Sequence, residues 1–194
     1  MPAKTRRSRD GTAWETGCLR CSLRPSIKVD RLLAELSASE WDKPCYHPGA
    51  IVPVRRYLDL RLMELFMLGW DIRSRLESEA HLATESTPIF MDLLCQFVEF
   101  MLRPASRTST PVRLRFEFAA TVPDKVDIVV EGEKAHMETA GAVSANVTLR
   151  CSTQSFVLLM GGRLSFDSAI ADNRLSVEGE NELPAEFAKW PKGF

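Results

Sequence analysis

The sequence predicts an α+β fold in which a helical half precedes a half that mixes strands with short helices. Apolar residues recur at helical spacing from about residue 28 to 103, and a strict two-residue alternation starts at residue 112. Between the halves lies a stretch rich in proline, serine and threonine, residues 104–111, which is typical of a linker. We therefore expect two domains, at 28–103 and 112–194, joined by this linker.

The composition is that of a globular protein. Hydrophobic residues make up 45% of the 194 residues and charged residues 26%, a balance with which a chain can build a core. The longest stretch without a charge, 151–162, is twelve residues long, too short to cross a bilayer as a helix. The basic start is not followed by an apolar run, so we expect no signal peptide and a cytoplasmic protein without a membrane partner.

A basic segment opens the chain. Residues 1–28 contain seven basic and two acidic residues, a charge of +5, so the other 166 carry −6 and the total is −1. Such a segment can bind phosphate backbones, but no aromatic residue interleaves with its basic cluster. We therefore expect a disordered head at 1–27 and no specific nucleic-acid partner.

The five cysteines indicate a reduced protein, because they are too few and too scattered for a disulfide framework. Cys18 and Cys21 form a CxxC pair, yet no second pair follows at the spacing of a zinc ribbon. Cys95 lies in an apolar helical run and Cys151 ends a strand pattern, so we expect both to be buried.

Three helices are predicted in the first half, at about 28–38, 54–78 and 86–103. The second begins after Pro53, and the third begins at Ser86 as a cap followed by proline. The third is apolar nearly all round, which predicts a central helix. The second helix is apolar on two flanks, with a narrow strip that carries charged residues between them. This pattern is typical of a helix whose strip faces a cleft. The strip consists of Tyr57, Arg61, Glu64, Leu68, Asp71 and Arg75.

The second half begins with a half-buried strand at 112–118, because Val112, Leu114, Phe116 and Phe118 alternate with polar residues. Further strands are predicted at 126–131, 135–139, 146–151 and 175–178. Helices are predicted from Ser152 or Thr153 to Gly161, from Ser165 to about Asn173, and at 182–190. This order predicts an antiparallel sheet covered by helices.

Histidine and carboxylate positions give the candidate sites. His47, His81 and His136 are too far apart in the sequence to form a ligand pair on one helix. Glu64 and Asp71 lie within about 20° of each other on the second helix, where paired carboxylates can bind a cation or act as acid and base. The alternative is structural, because Arg61 and Arg75 stand three and four residues away as ion-pair partners.

The segment 61–73 resembles the actinobacterial mycothiol-dependent maleylpyruvate isomerase family. Residues 41–56 and the stretches 147–149, 156–165 and 175–179 resemble the same family, so the resemblance covers about 28–194. It implies a DinB-like four-helix bundle, here incomplete, followed by a small α+β domain of sterol-carrier type.

The resemblance also implies a zinc site that activates the thiol of mycothiol. Glu64 matches the family's carboxylate ligand, Leu68 stands where a histidine ligand is expected, and the first-helix histidine has no counterpart. The resemblance therefore implies an N-terminally shortened relative with a degenerate zinc site.

Two interpretations of function stay open. In the first, the chain is a non-catalytic or small-ligand-binding relative without a cofactor. In the second, it is an active isomerase or S-transferase that uses zinc and mycothiol, with Asp71 or His47 as replacement ligands and Arg61 in the pocket. A missing bundle helix would expose the helix at 86–103, which favours a homodimer or a partner protein.

Overall fold

The structure is a computed structural model that describes residues 28–48, 50–102, 108–119, 124–179 and 182–191, without the side chains of 108 and 109. The expected head at 1–27, with its CxxC pair, lies outside the described residues. The chain divides into two compact units, Met1–Tyr57 and Leu58–Phe194.

The first unit contains a hairpin that the sequence analysis missed. Residues 28–34 form helix α1, and a 3-10 turn follows at Glu40–Asp42. Strand β1, Pro44–His47, then pairs antiparallel with β2, Ala50–Pro53. The two strands have four residues each, too few for an alternation of apolar and polar residues to be recognisable.

Two long helices open the second unit. Helix α2 spans Val54–Arg73, continuing from the first unit, and α3 spans Thr87–Met101. Helix α2 ends five residues earlier than predicted, and the Arg73 guanidinium donates to the His81 carbonyl oxygen at 2.6 Å. Ser86 does not cap α3 through its side chain: its hydroxyl donates to the Ala83 carbonyl, within a 3-10 turn at Thr84–Ser86.

A five-stranded sheet forms the centre of this unit. Its strands are β3 (Thr108–Phe118), β4 (Lys125–Gly132), β5 (Lys134–Thr139), β6 (Val147–Cys151) and β7 (Leu175–Gly179), in the order β5-β4-β3-β6-β7. Strands β3 and β6 run parallel and the other neighbours antiparallel. The predicted antiparallel sheet is therefore wrong in one pairing, because residues 140–146 carry the chain from edge strand β5 to the far side of β3.

Three short helices complete the fold: α4 (Thr153–Met160), α5 (Phe166–Ala171) and α6 (Glu182–Phe187). The caps are those predicted: the Ser152 hydroxyl accepts from Ser155 N–H, and that of Ser165 from Ser168 N–H. Gly162, with φ of 69°, follows the end of α4 in the left-handed conformation that ends many helices. The α+β class is confirmed.

The core joins the first helices to the sheet. One hydrophobic cluster includes Met67 of α2, Phe90 and Val98 of α3, and the inward residues of all five strands. Helix α3 packs on β5 and α4, so the apolar face that we expected a partner to cover is buried within the chain. The boundary between the compact units lies at 57/58, and a domain boundary at 104–111 stays a prediction.

The DinB-like four-helix bundle is not confirmed. In the described part of the chain, the region 28–102 holds two long helices, and α3 uses its apolar face to cover a sheet. Helical periodicity shows that a face is apolar but does not specify whether a helix or a sheet covers it.

Candidate functional site

Glu64 forms an ion pair with Arg61 on the surface of α2. Arg61 Nη1 lies 2.5 Å from Glu64 Oε2, as the three-residue spacing predicts. Leu68, which stands where the resemblance implies a histidine ligand, is 56% exposed. Among the described residues, no group of three or more His, Cys, Asp and Glu side chains is placed to hold a metal ion.

Asp71 contacts a different arginine from the one that the sequence predicts. Its two carboxylate oxygens accept from Nε and Nη2 of Arg163, at 3.3 and 3.2 Å. Arg163 also donates to the Gly161 carbonyl at 2.7 Å. The expected pair with Arg75 is therefore wrong, and Asp71 instead joins α2 to the turn after α4.

The three histidines lie in three different places. His47 lies in β1, where its ring meets Tyr57 edge-on at 6.2 Å between centroids. His81 follows α2, with Nδ1 3.3 Å from Gln154 Nε2. His136 lies in β5, with Nε2 3.4 Å from a Glu138 carboxylate oxygen. Each ring has a polar or aromatic neighbour of its own.

Two cysteines, Cys95 and Cys151, have thiols whose pKa is raised above the usual value. Cys95 is exposed, contrary to expectation, because it lies on the side of α3 away from the sheet. Cys151 is half-buried, and burial raises the pKa of its thiol to about 12. A thiol with such a pKa is a poor nucleophile at neutral pH.

A polar cleft of about 810 Å³ lies between the segment after α2 and the ends of β6 and β7. Its walls include Ser78, His81, Arg150, Gln154 and Asp172. Gln154 holds one wall in place, because its side-chain oxygen accepts from Leu82 N–H at 2.9 Å. The charged side chains that line this cleft are of both signs.

The two faces of the sheet differ in chemistry. The charged face carries Arg113, Arg115, Glu117, Asp127, His136, Glu138, Arg150 and Glu178. Asp127 is 0% exposed there, and its carboxylate accepts from Arg113 and Arg115 at 2.8 to 2.9 Å. Arg115 also donates to the carbonyls of Gly141 and Val143, which fixes the crossing segment 140–146 over this face.

The core face is apolar and rich in aromatic rings. A chain of ring contacts runs from the sheet through the helices to the last residues described; its members are Phe116, Phe118, Phe156, Phe166, Phe187 and Trp190. Neighbouring ring centroids are 4.7 to 5.9 Å apart. This aromatic cluster, as we call these six residues, is closed to solvent and lies between β3 and helices α4, α5 and α6.

Trp190 lies at the end of the aromatic cluster, and its indole nitrogen Nε1 is a polar atom within that cluster. The side chain is 1% exposed, and Nε1 has no hydrogen-bond partner. It is the only buried side-chain nitrogen or oxygen so placed among the described residues. Trp190 was not predicted as a functional residue, although the three-residue spacing of Phe187 and Trp190 within the predicted helix 182–190 was a usable signal.

Comparison with protein-family models matches residues 110–190 to the SCP-2 sterol transfer family. The match covers less than half of the chain and contains β4 to α6 with nearly all of β3. A comparison with curated proteins finds no significant match.

Several solved structures resemble part of this chain, and the names of some of them include SCP2 or Sterol Carrier Protein 2. Sterol Carrier Protein 2 Like 2 from Aedes aegypti is 13% identical over 55% of this chain and 98% of its own, with a TM-score of 0.40. A UbiJ-SCP2 ubiquinone synthesis protein is 15% identical over 50% and 72%, with a TM-score of 0.35. The sec-alkylsulfatase Pisa1 from Pseudomonas sp. is 16% identical and has a TM-score of 0.43; the match covers 55% of this chain and 16% of that enzyme.

None of these matches supports the mycothiol-dependent isomerase family.

No helix in the described ranges combines the length and the hydropathy that a membrane crossing requires. The sterol-carrier-like half of the expected fold is confirmed: the chain carries a domain of the SCP-2 sterol transfer family at residues 110–190.

Proposed function

We propose that this domain binds one lipid-like molecule between the core face of its sheet and helices α4 to α6. The observation that carries the proposal is the aromatic cluster, which lies within the segment matched to the SCP-2 family. Contact with such a surface stabilises an apolar molecule by about 25 cal/mol for each Å² removed from water. The polar cleft has no comparable apolar lining.

Binding requires a helix to move, because the aromatic cluster is closed to solvent. Helix α6 is the natural candidate, since it has only six residues and contributes Phe187, which contacts Phe116, Phe166 and Trp190. A short helix held by side-chain packing opens at lower free energy than the central strands do.

The test uses the full chain and phosphatidylcholine vesicles that contain a fluorescent long-chain alcohol. We expect the chain to extract the probe at a ratio of one to one and to release it on unfolding in urea. A control variant, Arg150→Glu, changes the charged face and the wall of the cleft but not the core face, so extraction should be unchanged. No extraction by folded protein, or extraction abolished by Arg150→Glu, would contradict the proposal.

We propose further that the chain acts as a carrier without metal-dependent chemistry. The ion pair between Glu64 and Arg61 supports this, because a carboxylate paired with an arginine is a weak metal ligand. The alternative is mycothiol-dependent isomerisation or S-transfer with zinc at Glu64 and replacement ligands such as Asp71 or His47.

Metal analysis of the purified chain separates these two functions. We expect less than about 0.1 zinc per chain after dialysis against equimolar zinc, since a lone carboxylate binds zinc weakly. Stoichiometric zinc that is lost in the Glu64→Gln variant would favour the zinc-dependent alternative. Zinc that persists in this variant would show that the metal binds at a site other than Glu64.

A further inference from the structure

The indole N–H of Trp190 is a buried hydrogen-bond donor without an acceptor. The side chain is 1% exposed and Nε1 has no partner, while the backbone N–H of the same residue is satisfied by the Phe187 carbonyl at 2.9 Å. Buried donors in native proteins nearly always have a partner, so an unpaired one calls for an explanation. Because an indole nitrogen only donates, its missing partner must be an acceptor.

The surroundings restrict which acceptor fits. Trp190 packs edge-on against Phe187, whose ring contacts Phe116 and Phe166. The buried polar or charged residues in the described part of the chain are Ser86, Asp127, Thr153 and Ser155. None of them is a cation, and the one carboxylate lies on the charged face with its own arginines. Among the described residues, an ionised group beside Trp190 would therefore find no buried counter-charge.

We infer that Trp190 Nε1–H donates a hydrogen bond to a neutral oxygen of the bound molecule, so that the domain prefers alcohols, ketones or esters to ionised carboxylic acids. The inference rests on the proposed function, because it needs an apolar molecule in the aromatic cluster. The neutral oxygen satisfies the donor, while the rest of the molecule contacts the phenylalanine rings. An ionised carboxylate would form the same bond but lose its hydration without compensation.

The test compares three molecules that share one alkyl chain: dodecan-1-ol, dodecane and dodecanoate. Their affinities for the full chain are measured at pH 8 by displacement of a fluorescent apolar probe. We expect dodecan-1-ol to bind about ten-fold more tightly than dodecane, the effect of one otherwise unpaired buried donor. Dodecanoate should bind more weakly than dodecan-1-ol.

Two variants connect this preference to the indole nitrogen. Trp190→Phe removes the donor and keeps an aromatic ring, so its dodecan-1-ol affinity should fall to that of dodecane. Trp70→Phe is the matched control, because Trp70 Nε1 already donates to the Ala80 carbonyl at 3.3 Å and lies outside the aromatic cluster. This control should keep the ten-fold preference.

A spectroscopic measurement on the unmutated chain covers the case in which Trp190→Phe does not fold. With ¹⁵N-labelled tryptophan, the indole proton of Trp190 should move downfield when dodecan-1-ol binds and much less with dodecane, while that of Trp70 stays in place. Equal affinity for alcohol and alkane, with no such shift, would overturn the inference and leave the proposed function standing. Tightest binding of dodecanoate would also overturn it, and failure to bind any of the three would refute both.

Discussion

Asp127 is a buried carboxylate whose ionisation contributes to stability. Burial alone would raise the pKa of its carboxyl, but the hydrogen bonds from Arg115 and Arg113 outweigh this and lower the pKa below its usual value. A lowered pKa in the folded state stabilises the protein above the ordinary aspartate pKa, and this stability is lost as the pH falls through the folded-state value. We therefore expect the free energy of unfolding to decrease below about pH 4.

Asp127→Asn should lower the free energy of unfolding at pH 7 by about 3 kcal/mol, because two arginines are left without their buried partner. The variant should also lose part of the decrease below pH 4. Urea unfolding followed by circular dichroism measures both effects. Glu178→Gln is the control: its side chain is 70% exposed beside Arg150, so its cost should stay below about 0.5 kcal/mol. Equal costs for the two variants would contradict this account.

At the scale of single elements, short sequence patterns correctly predicted the features that depend only on neighbouring residues. The caps at Ser152 and Ser165 follow from a hydroxyl before an apolar run, and β3 from its strict alternation. The hairpin around His47 was missed because its strands are four residues long. The partner of Asp71 was missed for a different reason: Arg163 lies 92 residues further along the chain, so no helical spacing indicates it.

The bond between Asp71 and Arg163 is expected to couple α2 to the turn after α4. In a double-mutant cycle, Asp71→Asn and Arg163→Ala should show a coupling energy of about 0.5–1 kcal/mol, typical of a partly exposed ion pair. In the same cycle with Arg75→Ala in place of Arg163→Ala, the coupling energy should be about zero, although the four-residue spacing of Asp71 and Arg75 alone would favour an ion pair. A coupling confined to Arg75 would show that α2 carries its own ion pair instead.

Gly179 at the end of β7 is the glycine that the sheet most strongly requires. Its φ is 125°, and a Cβ there would lie 2.5 Å from the Asn146 carbonyl oxygen. Gly179→Ala should therefore cost about 2–4 kcal/mol. Gly69→Ala, inside α2 with nothing within 4 Å of the added methyl group, should instead gain up to about 1 kcal/mol. Thermal unfolding of the two variants measures the contrast, and destabilisation of similar size in both would refute it.

At the scale of the whole molecule, the α+β class of fold was predicted correctly from the sequence, whereas the division into domains at 104–111 stays a prediction. The sterol-carrier-like second half followed from local patterns and a family resemblance, and the family match at 110–190 confirms it. A separate helical bundle is not confirmed, and α3 packs on the sheet instead. The role of Glu64 as a metal ligand stays a prediction. The burial of Trp190 could not be predicted from the sequence, because burial depends on the whole fold.

A chain that begins at residue 108 should be much less stable than one that begins at 58. The shorter chain lacks Met67, Phe90, Leu94 and Val98, which are 1–2% exposed in the shared core. Its sheet would then present apolar residues to water. We expect the shorter chain to unfold without a cooperative transition, and the longer one to unfold cooperatively. Cooperative unfolding of the shorter chain would show that the sheet needs no support from α2 and α3.

The parallel pairing of β3 with β6 has a consequence for synthesis on the ribosome. Strands β3, β4 and β5 are consecutive hairpins and can pair as soon as they emerge, but β3 has no second neighbour until residue 151 is available. During that interval the nascent chain presents an unpaired, apolar strand edge, the feature by which sheets recruit other chains. Translation pauses before β6 should therefore increase co-translational aggregation, and early chaperone contact should map to β3.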